Sequence, residues 1–178
     1  MSNMEFFSEQ DFRDSTRWPS FLERNRIEIV DSNAPKGAYF DVFLSYNIAD
    51  LAVVKGIYYA LRKEGLKVYL DVVVDPLLNR NSTDKKTAEI IRNRLEHSKS
   101  IIYAESPNAS KSNWMPWEIG VVDGKKGKCM VMLLKNSRGD VPGRREYLSL
   151  YPTVHPSGYG NGLSVFSGGF YYRISSFL

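Results

Sequence analysis

Four short apolar runs recur along this chain, and between each consecutive pair lies a helical pattern. The runs are residues 38–46 (AYFDVFLSY), 66–74 (LKVYLDVVV), 99–104 (KSIIYA) and 128–135 (KCMVMLLK). Their β-branched and aromatic residues are nearly continuous rather than alternating, as expected of strands covered on both faces. After the first run, Asp50 is placed to cap a helix with Leu51, Val54, Ile57, Tyr58 and Leu61 on its apolar side. Gly65 is its stop, with Leu66 as the apolar partner. Ser82 or Thr83 is placed to cap a second helix, with Ala88, Ile91 and Leu95 on one face. A third helix opens at Asn113 and ends at Gly124 or Gly127. Strand and helix alternating through short connections predict an α/β fold in three layers, a central parallel sheet flanked by helices. Ligands of such folds gather beyond the carboxyl ends of the strands. Three loops therefore matter: those after Ser45, after Asp71 and after Ser106.

Either side of this core the signals weaken. Residues 1–36 read as an N-terminal extension punctuated by Pro19 and Pro35, in which Arg26-Ile27-Glu28-Ile29-Val30 alternates like a short edge strand. Residues 33–37 (NAPKG) form a breaker, and the domain proper is expected over 37–178. In the tail after residue 136 the sequence predicts a loop, one strand near residues 163–166, and a short terminal helix or strand.

Composition narrows the function. The single Cys129 excludes an intramolecular disulfide framework and fits a reducing compartment. One cysteine and two histidines do not supply a common structural zinc site, and neither a resident metal nor a cofactor is expected. No run reaches the length of a membrane span, and the acidic, polar start MSNMEFFSEQDF does not read as a secretory signal. A cytoplasmic protein is the expectation. The net charge of +4 is scattered in pairs such as Lys85-Lys86, Lys125-Lys126 and Arg144-Arg145. Without a long basic run interleaved with aromatics, no nucleic-acid platform is expected.

The third loop leads into Asn113-Trp114-Met115-Pro116-Trp117-Glu118-Ile119-Gly120, which crowds two indoles around one carboxylate. With Asn113 as cap, Pro116 falls in the first turn, where its missing N–H needs no partner. Trp114 and Glu118 are four apart and share a face. The helix dipole favours an ionised Glu118, while burial among indoles opposes it. A charged yet poorly hydrated carboxylate suits stabilisation of a nearby cation. Cleavage of a nicotinamide–ribose bond needs that and little else, because the leaving pyridinium becomes neutral without a proton, whereas most glycosidases need two carboxylates. A flat indole stacks on a pyridinium or an adenine. The same spacing also fits a core tryptophan beside a solvated or capping glutamate, and spacing alone leaves both readings open.

Other constellations are weaker. His97 and His155 lack a recognisable nucleophile context. Cys129 lies inside an apolar run and reads as a buried inert thiol. GYGNG (158–162) has no helix after it of the dinucleotide-binding type. Asp71 reads equally as a hydrogen-bonding partner of the following loop or as a ligand contact.

Together, DVFLSYNIAD, GLKVYLDVVVDP and SIIYAESPNASKSNWMPWEIG resemble, in order and spacing, the Toll/interleukin-1 receptor (TIR) domain family over residues 38–136. The resemblance implies a flavodoxin-like fold. In the enzymatic branch of that family, including Thoeris-type bacterial anti-phage proteins, the glutamate of Trp-x-x-x-Glu is catalytic. Carried over, it falls on Glu118, with Trp114 as the motif's tryptophan. Such domains cleave NAD+ to ADP-ribose or a cyclic isomer that signals to a separate effector protein. The resemblance also implies that Ser45 and Tyr46 line the substrate pocket; Asp71 stands beside them as a candidate substrate contact on its position at the end of the second run. The loop over about residues 72–81 would take part in access and in TIR–TIR homo-oligomers. Many relatives carry a basic residue where this chain has Asn47; Arg80 or Lys111 is placed to substitute for it. Two other readings stand beside the NAD+-cleaving one: a non-catalytic TIR module that signals by homotypic assembly, and a nucleoside deoxyribosyltransferase-like enzyme.

Overall fold

In the computed structural model, residues 6–13, 19–143, 145–157 and 162–178 are described. The chain runs α1 (Glu9–Arg13), α2 (Phe21–Ser32), β1 (Phe40–Ser45), α3 (Leu51–Lys63), β2 (Val68–Tyr69), α4 (Asp71–Val74), α5 (Lys85–Glu96) and β3 (Ser98–Glu105). It continues through α6 (Trp114–Lys125), β4 (Cys129–Leu133), β5 (Thr153–Pro156), β6 (Leu163–Ser167), β7 (Phe170–Arg173) and α7 (Ile174–Phe177). One sheet has the order β2-β1-β3-β4-β5-β6-β7. The first five of these strands are parallel, in the flavodoxin-like order. The last two are antiparallel, so the sheet is mixed rather than wholly parallel.

Continuous apolar strands bury two faces. Val42, Leu44, Ile102, Ala104, Met130 and Met132 point to the α3 side with Val54, Ile57 and Leu61. Phe43, Ile101, Tyr103 and Val131 point to the other, against Ile91 and Leu95 of α5 and Met115, Ile119 and Val122 of α6. Cys129 is buried in this second layer, where burial and then the charge of Asp123 push its thiol up to about 12.

Two sequence expectations are corrected. Residues 26–30 form part of the helix α2, not an edge strand. Ser20 and Glu23 make a reciprocal capping box, and the alternation of Ile27 and Ile29 is overridden by this local start signal. α2 docks on α3 through polar contacts: Lys55 Nζ to Glu28 at 2.9 Å, Tyr58 Oη to Asp31 at 2.5 Å, Arg62 Nε to Asp31 at 2.9 Å. Residues 66–74 do not form one strand either. Two of them pair in β2, and the valines wind into α4, because Asp71 Oδ1 accepts the Val72 N–H at 2.8 Å and the Leu70 carbonyl accepts those of Val73 and Val74. The caps also differ. Asp84, not Ser82 or Thr83, caps α5 by accepting the Thr87 N–H at 2.8 Å. Asn113 makes no side-chain cap bond at α6, where Ser112 Oγ accepts from Met115 N–H at 3.2 Å. Asp50 does not cap α3 through its side chain.

Ahead of β1, Phe7 bridges to Leu134 and Phe12 is buried in the α3 layer. Gly56 permits this: a Cβ there would lie 2.6 Å from the Phe12 ring. Arg94 joins three segments, pairing through two nitrogens with Asp75 (both 2.9 Å) while donating to the carbonyls of Pro35 and Lys36. In the tail, β6 covers the expected strand, and β7 and α7 together occupy the place of the expected short terminal helix or strand; β5 is additional. The GYGNG segment falls largely outside the described residues. Among the described residues no helix is long and apolar enough to cross a membrane.

The last residue of β3, Glu105, is only 4 % exposed. Burial raises its carboxyl to about 7, although Arg145 pulls the other way. The folded state therefore binds a proton that the unfolded chain, titrating near 4.5, has released. That contribution to stability is present below about 4.5 and is lost as the pH rises through about 7. Urea unfolding at pH 5 and pH 8 should show Glu105→Gln losing roughly 1–3 kcal/mol less than the wild type over this interval. Parallel losses in both proteins would overturn this assignment.

Candidate active site

Glu118 lies in the second turn of α6 with none of its surface exposed. β1 ends beneath it: Ser45 Oγ donates to Glu118 Oε2 at 2.5 Å. Glu118 Oε1 accepts from Arg80 Nη1, and the same guanidinium pairs through Nε with Asp71. Asp71 opens α4 at the carboxyl end of β2, and its Oδ1 accepts from Tyr46 Oη at 2.7 Å. Arg80, carried by the loop between α4 and α5, thus sits between two carboxylates. In the same loop Leu77 is 97 % exposed, while Leu78 packs against the α5–α6 layer. Trp114 Nε1 donates to the Arg80 carbonyl at 2.9 Å, so the motif tryptophan holds the backbone of the residue that covers the motif glutamate.

The electrostatics follow from burial. Desolvation works against the Arg80 charge, but Glu118 and Asp71 outweigh it and hold the guanidinium pKa above its ordinary value. Burial, then the Asp71 charge, pushes the Tyr46 phenol well up, so Tyr46 stays a hydrogen-bond donor. Arg80 Nη2 has no hydrogen-bond partner. The guanidinium is therefore held by charge without all its donors being used.

All five sequence candidates (Ser45, Tyr46, Asp71, Trp114 and Glu118) are gathered into this one network. Trp114 is 8 % exposed, and its ring meets Trp117 edge to face at 5.5 Å. Of the two basic candidates, Arg80 reaches the network, while Lys111 is exposed in the turn after β3. Asn47 is structural: its side chain accepts from Ala49 N–H and donates to the Asn108 carbonyl, both at 3.0 Å.

Two features escaped the sequence reading. One is the position of Arg80 against Glu118, since no spacing rule links residues 38 apart. The other is a buried polar knot joining the loops after β1 and β3. Asp50 accepts from Ser106 Oγ and, at 2.8 Å, from Asn108 Nδ2, while Ser106 Oγ also accepts the N–H groups of Asn108 and Ala109. Among the described residues no group of three or more acidic, histidine or cysteine side chains is arranged to hold a metal.

With its guanidinium withdrawn, this arrangement presents a fixed carboxylate held below the protein surface. One oxygen is steadied by the Ser45 hydroxyl and the other turned to the position a cation now holds. Such an anion is worth far more there than in water.

A protein-family model described as "TIR domain" matches residues 42–157, a span containing every residue of the network. A Bacillus cereus (strain MSX-D12) protein named "Probable 3' cyclic ADP-D-ribose synthase ThsB'" is 38% identical over 132 residues, covering 74% of this chain and 68% of that one. A Cytobacillus dafuensis protein named "Putative cyclic ADP-D-ribose synthase TIR2" is 27% identical over 118 residues, 58% of this chain and 31% of the relative.

Proposed function

The chain belongs to the TIR domain family, and from that premise we propose that it cleaves NAD+ at the nicotinamide–ribose bond and closes the product into a cyclic ADP-ribose isomer. The observation that carries this reading is the charge held at Glu118: a wholly buried carboxylate at the carboxyl edge of the sheet, paired with a cation on a loop. The names of both relatives support the cyclic product.

In this reading the substrate's ribosyl cation takes the place of the guanidinium. Arg80 leaves Glu118 when the α4–α5 loop moves and turns its unused donors to the pyrophosphate, the role open at Asn47. The C1′–N bond breaks with its electron pair passing to the nicotinamide nitrogen, which leaves neutral. Glu118 steadies the positive charge growing on the ribose. Ser45 orients the carboxylate; Tyr46 and Asp71 fix the floor of the pocket; Trp114 holds the loop at its hinge. A hydroxyl of the adenosine half attacks C1′ and gives up its proton, closing the ring. Water in its place yields linear ADP-ribose. The cyclic product serves as a soluble signal to a separate effector in anti-phage defence, and TIR–TIR contacts between copies release the loop.

Incubation with NAD+, followed by chromatography and mass spectrometry, is expected to give free nicotinamide and a product lighter than ADP-ribose by one water. ADP-ribose alone would make the protein a hydrolase. Assembly without nicotinamide release would favour the interaction module instead.

A further inference from the structure

A cavity of about 400 Å³ opens where β5 and β6 meet residues 142–143 and 145–152, and no residue of the Glu118 network lines it. Its volume suits a small molecule. Leu133, Leu148, Tyr151 and Phe166 give it apolar and aromatic walls, and Glu105 and Arg145 contribute the charged groups.

Glu105 is the unusual member. Its Oε1 lies 3.8 Å from Arg145 Nε, and its Oε2 has no hydrogen-bond partner. A buried carboxyl oxygen left unpaired is rare in folded proteins and calls for a ligand or a strain. Arg145 is itself anchored, donating to the hydroxyls of Tyr103 at 3.1 Å and Tyr147 at 3.2 Å, so the carboxyl faces a fixed cation on one side only.

We propose that this cavity binds a purine nucleoside whose base carries an exocyclic amine, with the base edge on Glu105 and its face against Tyr151 and Phe166. The chemistry is selective. A purine amine lies beside a ring nitrogen, and a carboxyl group pairs with both positions. Ionised, it accepts two N–H bonds from a guanine-type edge; protonated, it accepts from the amine and donates to the ring nitrogen of an adenine-type edge. The raised Glu105 carboxyl makes both forms available near neutrality. Flat aromatic walls favour a fused heterocycle, whereas a bare phosphate would meet the Glu105 charge. The site does not depend on the reaction assigned to Glu118.

Adenosine, guanosine, nicotinamide and ribose 5-phosphate, each titrated into the full chain by calorimetry, test it. At least one of the two nucleosides should bind the wild type, and which one reports the protonation state of Glu105. Glu105→Leu should weaken that binding about ten- to a hundredfold, as loss of hydrogen bonds to a charged group does. Gly143→Trp should block it. Gly143 lines the cavity and a Cβ there meets nothing within 4 Å, so this second variant decides the matter if Glu105→Leu fails to fold. Glu118→Gln should leave nucleoside affinity unchanged. The proposal is overturned if neither nucleoside binds, if only nicotinamide or ribose 5-phosphate binds, if Glu105→Leu and Gly143→Trp keep wild-type affinity, or if Glu118→Gln abolishes it.

Discussion

Glu118→Gln is expected to lower NAD+ turnover by about two to three orders of magnitude, the usual cost of removing one preorganised electrostatic group. The amide keeps the shape of the carboxyl and can still accept from Ser45, so folding should survive. What disappears is the negative charge facing the ribosyl cation. Because Glu118 is wholly buried, solvent replaces little of that charge, and KM should change less than kcat, the mark of an interaction made chiefly in the transition state. Glu118→Ala is a harsher variant: it also opens a void and leaves Arg80 with Asp71 alone. Nicotinamide release measured alongside thermal unfolding separates the two effects. Turnover by Glu118→Gln at the wild-type rate would remove Glu118 from the chemistry, whatever the fate of Glu118→Ala.

The second large effect is on stability. Arg80→Met should destabilise the fold by about 3–5 kcal/mol, because Glu118 then keeps a buried charge with no cation beside it and Asp71 lies nearby with the same sign. Arg80→Lys should recover only part of it: an ammonium is a compact charge, whereas the guanidinium reaches Asp71 through Nε and Glu118 through Nη1. Urea unfolding of the three proteins at neutral pH checks this. An Arg80→Met variant as stable as the wild type at neutral pH would mean that the ion cluster contributes nothing to the resting fold.

The parallel core was readable because its strands are buried on both faces. Long apolar runs such as residues 38–46 and 99–104 admit few other structures, and the intervening helices carry their apolar positions at the expected spacing. Glu118 was readable for a different reason: two indoles and a proline within five residues of one acid leave a local signature. Arg80 left none. Its place against Glu118 is set by how the α4–α5 loop folds back over the sheet edge, a long-range fact that no local pattern encodes. The errors have the same origin. The valines of residues 72–74 favour a strand by propensity, yet Asp71 is anchored by Tyr46 and Arg80, and the chain turns into α4 to keep those contacts. The isoleucines of α2 alternate like a strand, but the capping box formed by Ser20 and Glu23 just upstream of them fixes the helix first.

α2 also shows how differently two parts of one chain can be fastened. It buries no residue fully, and Glu28 and Asp31 hold it to α3 largely through Lys55, Arg62 and two tyrosine hydroxyls. The sheet layers are held by apolar contact, which dissolved ions hardly weaken. Raising the ionic strength therefore loosens the helix ahead of the body it covers, since mobile counter-ions compete for the partly exposed Lys55–Glu28 pair and leave the oily interior untouched.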